Sequence, residues 1–307
     1  MRSKSERLVI PNLFLVGAPK CGTTSMYYYL SQHPEVFMSI PKEPHYFSSD
    51  IKFRFRRTHY KNLNEYLQLF AGAGAYKRRG EASVWYLYSA VAAKNIHDFN
   101  PKALILCMIR NPIDMMFSMY RFSRRKGGEN LKTFREALEA ERDRRLGKRI
   151  PKTVFVVQSL FYRDIATYTV QIKRYLDLFG RERVHVIVFD DLCADPYAVC
   201  REVFAFLGVE EDVTIDIRRR NATDEIRSTV LDYAMRRFPH LTEAIRSVVP
   251  IRVRRAIQGI ASTLLPELEL PESTLDPQLR YELKREFYPE VERLSELLQR
   301  DLTFWCT

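Results

Sequence analysis

A chain of 307 residues, 46% hydrophobic and 28% charged, is long enough to bury a sizeable core and too apolar to remain disordered. Its net charge of +11 asks for an anionic partner and leaves nucleic acid, an acidic polysaccharide, an anionic membrane surface and a nucleotide open. The 5 cysteines are odd in number and have no C-x-x-C spacing, which argues against a disulfide framework or a zinc knuckle and fits a reducing compartment.

The basic start precedes an apolar stretch, but Pro11 and Asn12 interrupt it. Leu13 to Val16 is then too short for the core of a signal peptide. No later run is long enough to span a bilayer, so the expectation is a soluble, cytoplasmic protein, with peripheral membrane contact left open. Asn12 to Gly17 (NLFLVG) reads as a buried parallel strand. After the loop APKCG, a helix starts near Thr23 and Thr24 and ends before Pro34. Ala103 to Ile109 is a second buried strand, followed by Arg110 and Asn111 and a helix opening at Pro112. Val184 to Phe189 is a third. Amphipathic helical patterns cover Ser159 to Phe179 and Pro196 to Leu207, and a last helix, Leu279 to Leu298, contains Pro289 and is expected to kink or break there. Strands alternating with helices predict a single α/β domain over residues 1–307, with a central parallel sheet flanked by helices. A basic helical insertion or lid is expected over about residues 239–271; a plain packed pair of surface helices fits the same pattern.

The segment from Gly17 to Thr24 (GAPKCGTT) follows a strand and opens a helix, a context that makes an anion site from backbone N–H groups and the positive end of the helix. Its glycine spacing matches the start of a Walker A loop, but Thr23 stands where that loop has lysine, and the lysine has moved inside, to Lys20. By spacing alone, an ordinary strand–turn–helix junction with a surface lysine remains open. So does a nucleotide kinase, because Asp190 and Asp191 end an apolar strand as a Walker B carboxylate would.

LFLVGAPKCGTTSMYYYLSQHPEV, followed by PKEPHYF, resembles the sulfotransferases that use 3'-phosphoadenosine 5'-phosphosulfate (PAPS), in the branch of heparan sulfate and bacterial carbohydrate enzymes. MIRNPIDMMFSMY is similar to that family's 3'-phosphate motif, and weaker likeness runs through FLGV to the closing FYPEVERLSELLQRDLTFW. The resemblance implies a P-loop-like fold with PAPS as sulfuryl donor, the nucleotide PAP as product and no metal. It assigns the 5'-phosphosulfate to Lys20, Gly22, Thr23 and Thr24, with Cys21 giving its backbone and Ser25 in the same turn. Arg110 and Ser118 would hold the 3'-phosphate, and Asn221 and Arg227 fall where relatives wrap a basic loop over the cofactor. Arg110 suits that role, since ligands of open α/β sheets bind at the carboxyl ends of strands and guanidinium grips phosphate through paired N–H groups.

Glu43, in KEPHYF, matches the position of the catalytic glutamate in related carbohydrate enzymes; His45 is the rival base, and an extended segment would put both on one face. A salt-bridged Glu43–Lys42 pair and a merely packed His45 are the plainer readings. GEASVWY (Gly80 to Tyr86) departs from the heparan-type pattern, with Ala82 in place of a lysine, and Tyr168 follows Ala166 where the family has Gly-x-Tyr. The expected reaction is sulfuryl transfer to a hydroxyl or amine of a glycan, glycolipid or small alcohol, with a natural-product scaffold as the alternative acceptor. A kinase and a non-catalytic polyanion-binding protein are the competing classes. No helix-turn-helix or zinc-finger signature points to nucleic acid, and oligomeric state is not legible.

Overall fold

A computed structural model describes residues 9–54, 60, 62–217 and 273–307. The expected lid at 239–271, Asn221 and Arg227 lie outside the described residues. In chain order the elements are β1 (Leu13–Gly17), α1 (Thr23–Ser31), β2 (Val36–Met38), α2 (Leu63–Leu67), β3 (Arg78–Ala82), α3 (Ala92–Phe99), β4 (Leu104–Ile109) and α4 (Pro112–Arg125). There follow α5 (Phe134–Glu139), α6 (Glu141–Arg145), α7 (Tyr162–Ala166), α8 (Tyr168–Phe179), β5 (Val184–Val188), α9 (Phe189–Ala194), α10 (Pro196–Leu207) and α11 (Pro277–Leu298).

The strands form one parallel sheet in the order β2-β3-β1-β4-β5, flanked by helices as the alternation of elements predicts. β1 is central, and Leu13, Phe14, Leu15 and Val16 are completely buried, which is why that strand is an unbroken apolar run. The chain turns to the β2–β3 side after β1 and crosses to the β4–β5 side after β3. The carboxyl ends of β1 and β4 therefore flank the point where strand order reverses, the crevice where open α/β sheets take ligands.

Two strands escape the hydrophobic pattern. β2 has only three residues, and β3 reads Arg-Arg-Gly-Glu-Ala. The arginines of β3 find partners, most of them far along the chain: Arg78 Nε donates to the Leu207 carbonyl at 2.5 Å, and Arg79 donates to the carbonyls of Ile10 and Tyr76. The amphipathic helical pattern read over Ser159 to Phe179 falls in three pieces, a 3-10 turn, α7 and α8. Thr167 leaves helical geometry between α7 and α8, its hydroxyl bonded back to the Arg163 carbonyl, while Gln171 Nε2 caps the carbonyls of Asp164 and Ile165. α11, in contrast, runs unbroken through Pro289. Phe287 and Val291 are buried on either side, whereas Pro289 is exposed, so the carbonyl that proline leaves unbonded can be hydrated.

No helix among the described residues is long and apolar enough to cross a membrane.

Candidate active site

The loop after β1 is fixed from below. Ala18 N–H donates to the Met108 carbonyl of β4 at 2.6 Å. Gly17 has φ 138°, and a Cβ there would stand 2.5 Å from the Val84 carbonyl oxygen, so no other residue fits without moving the backbone. Gly22 caps α1 with φ 86°, and a Cβ on it would meet the Phe189 ring at 3.0 Å. α1 has no acidic residue in its first turn and no side-chain cap, which leaves its positive end facing the loop without a local carboxylate. Thr23 is buried, Thr24 exposed and Ser25 half-buried. Cys21 is completely buried, with its thiol against the Pro19 carbonyl, and burial pushes that thiol up to about 12. It is neutral and unreactive at ordinary pH, so its contribution is packing and its main chain.

Two aromatic rings tie this loop to the end of β4. Arg110 Cζ lies 4.8 Å from the centre of the Phe189 ring, the same ring that limits Gly22. Lys20 Nζ lies 4.5 Å from the centre of the Phe122 ring on α4. Ser118 is one turn before Phe122 and both are half-buried, while Asp114, a turn earlier, pairs with Arg280 of α11 at 2.7 Å. The Tyr168 hydroxyl sits 3.8 Å from Cys21 Sγ and also engages the Arg110 backbone; burial first, and the nearby thiol second, raise its pKa well above the ordinary value. Asn111 caps α4 and donates to the Trp305 carbonyl, and Trp305 Nε1 donates to Asp190. The chain's closing turn thereby pins the Arg110–Asn111 corner. Asp190 and Asp191, the imitation of a Walker B pair, are engaged by Trp305 and by a paired contact from Arg300 at 2.6 and 2.7 Å.

Glu43 and His45 meet, but not in the way an extended segment would bring them together. Both take left-handed backbone conformations, with φ 64° and 52°, and the Glu43 Oε2–His45 Nε2 distance is 3.3 Å. The expected Glu43–Lys42 pair is also present, at 3.3 Å. Lys42 Nζ then donates to Thr24 Oγ1 at 3.1 Å, so one ammonium joins the anion loop to the carboxylate. Burial opposes ionisation of Glu43, yet the His45 hydrogen bond and the Lys42 charge prevail and hold its carboxyl at about 2, below the ordinary 4.5. The Glu43 side chain is 38% exposed and that of His45 only 4%, with the imidazole packed beside Phe53 and Tyr86. Of the pair, Glu43 is thus the one open to solvent, and the buried His45 imidazole holds its carboxylate.

The contacts thus join Thr24, Lys42, Glu43 and His45 in one series and Gly22, Phe189 and Arg110 in another, with Lys20 on the Phe122 ring one turn after Ser118. Sequence reasoning missed Lys42 as a bridge, Phe122 and Phe189 as the rings under the two cations, and Tyr168 as a link. The only available signal was position: Phe189 closes the apolar run read as the third strand, and Phe122 lies one turn after Ser118.

Residues 11–232 match the family model described as the sulfotransferase domain. A crystal structure of a sulfotransferase from Alicyclobacillus acidocaldarius is 33% identical, covering 97% of this chain and 100% of that one, with a TM-score of 0.72. The bifunctional heparan sulfate N-deacetylase/N-sulfotransferase 1 of Mus musculus is 28% identical over 218 residues, covering 70% of this chain and 24% of that protein. Carbohydrate sulfotransferase 15 of Rattus norvegicus is 24% identical over 246 residues, covering 65% and 44%. The chain spans less than half the length of these two curated relatives.

Proposed function

The chain belongs to the sulfotransferase family, and on that premise we propose that it moves a sulfuryl group from PAPS to a hydroxyl or amine, with Glu43 as general base and Lys20 at the leaving phosphate. The observation that carries this reading is the continuous link Thr24–Lys42–Glu43, which puts a proton acceptor beside an anion-binding turn. PAPS, when bound, supplies the sulfuryl group on a phosphate that leaves readily.

The residues fit such a ligand. The loop offers main-chain donors at a helix start, and Arg110 makes no ion pair among the described residues, so its guanidinium is available to a phosphate. Lys20, resting on an aromatic face, can move to the oxygen between phosphate and sulfur. Lys42 has two tasks. In the structure it helps keep Glu43 ionised but weakly basic; an anion arriving at Thr24 draws the ammonium toward itself, and loss of that cation raises the basicity of Glu43. The base thus strengthens when the donor is in place.

The preferred acceptor is a carbohydrate or glycolipid, in line with the names of the curated relatives. Transfer of label from PAPS, screened against glycans, glycolipids and small alcohols, tests this reading; transfer to none of them, with PAP failing to bind, would remove it. Arg110→Ala is expected to weaken PAP by roughly tenfold to a hundredfold, the loss of charge-assisted bonds of about 1.5–3 kcal/mol. Adenosine 5'-phosphosulfate, which has no 3'-phosphate, should bind the variant and the parent alike in calorimetry.

A further inference from the structure

Glu81 is completely buried at the end of β3 and accepts hydrogen bonds from three hydroxyls. Tyr66 Oη donates at 2.7 Å, Tyr86 Oη at 2.9 Å and Ser83 Oγ at 2.6 Å. Burial first, and the neighbouring Glu81 charge second, raise both tyrosine hydroxyls well above their ordinary pKa, which keeps them protonated as donors. A hydroxyl whose proton points at a carboxylate turns its lone pairs outward. Two of these hydroxyls use them on the segment that bears the base: Ser83 Oγ accepts from His45 N–H at 3.0 Å, and Tyr86 Oη accepts from Phe47 N–H at 3.2 Å. Glu43 N–H completes the series by donating to the Ala82 carbonyl at 2.9 Å.

That segment needs fastening, because Glu43 and His45 both occupy left-handed backbone conformations that side chains with a Cβ disfavour. We propose that Glu81 is a positioning residue for the Glu43–His45 pair, acting through the hydroxyls of Ser83 and Tyr86. The proposal rests on Glu43 being the base. It gives GEASVWY a function that does not need the lysine absent at Ala82: the strand end sets the place of the base instead of supplying a second cation.

The test uses the full chain with PAPS and the acceptor found by the transfer screen. Glu81→Gln is the direct variant, but a buried network can collapse when its centre changes, so Ser83→Ala and Tyr86→Phe, each removing one hydroxyl, carry the test. Each is expected to lower kcat by about tenfold to a hundredfold, the scale of a misplaced catalytic group, while PAP affinity stays within about twofold. In Ser83→Ala the acid limb of kcat/KM should move upward, because Glu43 loses its hold on His45. Unchanged kcat and pH profile in both variants, beside an inactive Glu43→Gln, would overturn the positioning role; so would parallel loss of PAP binding and kcat, which marks a merely structural role. A Glu43→Gln variant that turns over normally would instead overturn the reading on which the proposal rests.

Discussion

Glu43→Gln lowers kcat by about two to four orders of magnitude, the usual contribution of general acid–base catalysis, and leaves PAP affinity within about twofold. The amide keeps the shape of the side chain and its contact with Lys42 is weakened but not replaced by bulk. What it lacks is the capacity to take a proton. His45 does not rescue the reaction, because its side chain is 4% exposed and lies behind Glu43. The same substitution has a signature in stability. The folded carboxyl is held at about 2, below its ordinary 4.5, so ionised Glu43 stabilises the fold above pH 4.5, and that contribution is lost as pH falls toward 2. The variant should lack this part of the acid dependence of its unfolding midpoint. Turnover close to the parent's would show that another group accepts the proton.

Lys20→Met loses about a hundredfold to a thousandfold in kcat/KM for PAPS, comparable to removing one preorganised donor from an anionic transition state. Methionine is close to lysine in length but carries no charge, so the ammonium and its contact with the Phe122 ring are removed with little change in side-chain size. Lys20→Arg should recover little: the planar guanidinium needs a different approach to the bridging oxygen, and the left-handed backbone at Lys20, φ 64°, fixes where the side chain starts. Single-turnover rates separate the two effects, since the methionine variant is expected to slow chemistry even at saturating PAPS. A variant that differs from the parent only in KM would place Lys20 in ground-state binding and not in the transition state.

The parts of the fold legible in the sequence are those whose chemistry is local. β1 and β4 are apolar runs because a central parallel strand is covered on both faces, and β5, at the sheet edge, keeps a β-branched run with His185 half-buried. α4 and α10 begin at Pro112 and Pro196 because proline fits the first helical turn. β3 was hidden because its arginines and Glu81 find their partners from residues distant in sequence, such as Leu207 and Tyr66. The break at Thr167 was hidden too, since a threonine back-bonding to a carbonyl has the same composition as one within a helix.

The site divides in the same way. The loop from Gly17 to Thr24 and the corner at Arg110 could be read because strand ends and glycines mark them. The Glu43–His45 pair was expected for a strand-like reason, whereas the structure forms it through two left-handed residues. Lys42 was seen only as a salt-bridge partner, since its bond to Thr24 spans two elements that the sequence does not juxtapose.

A crystal structure of the chain with PAP tests the placement of the nucleotide most directly. The 5'-phosphate should lie against the main-chain N–H groups around Gly22 with Lys20 turned from Phe122 toward it, and the 3'-phosphate should contact Arg110 and Ser118. PAP bound away from this turn, with Lys20 still over the Phe122 ring and Arg110 over that of Phe189, would contradict the account.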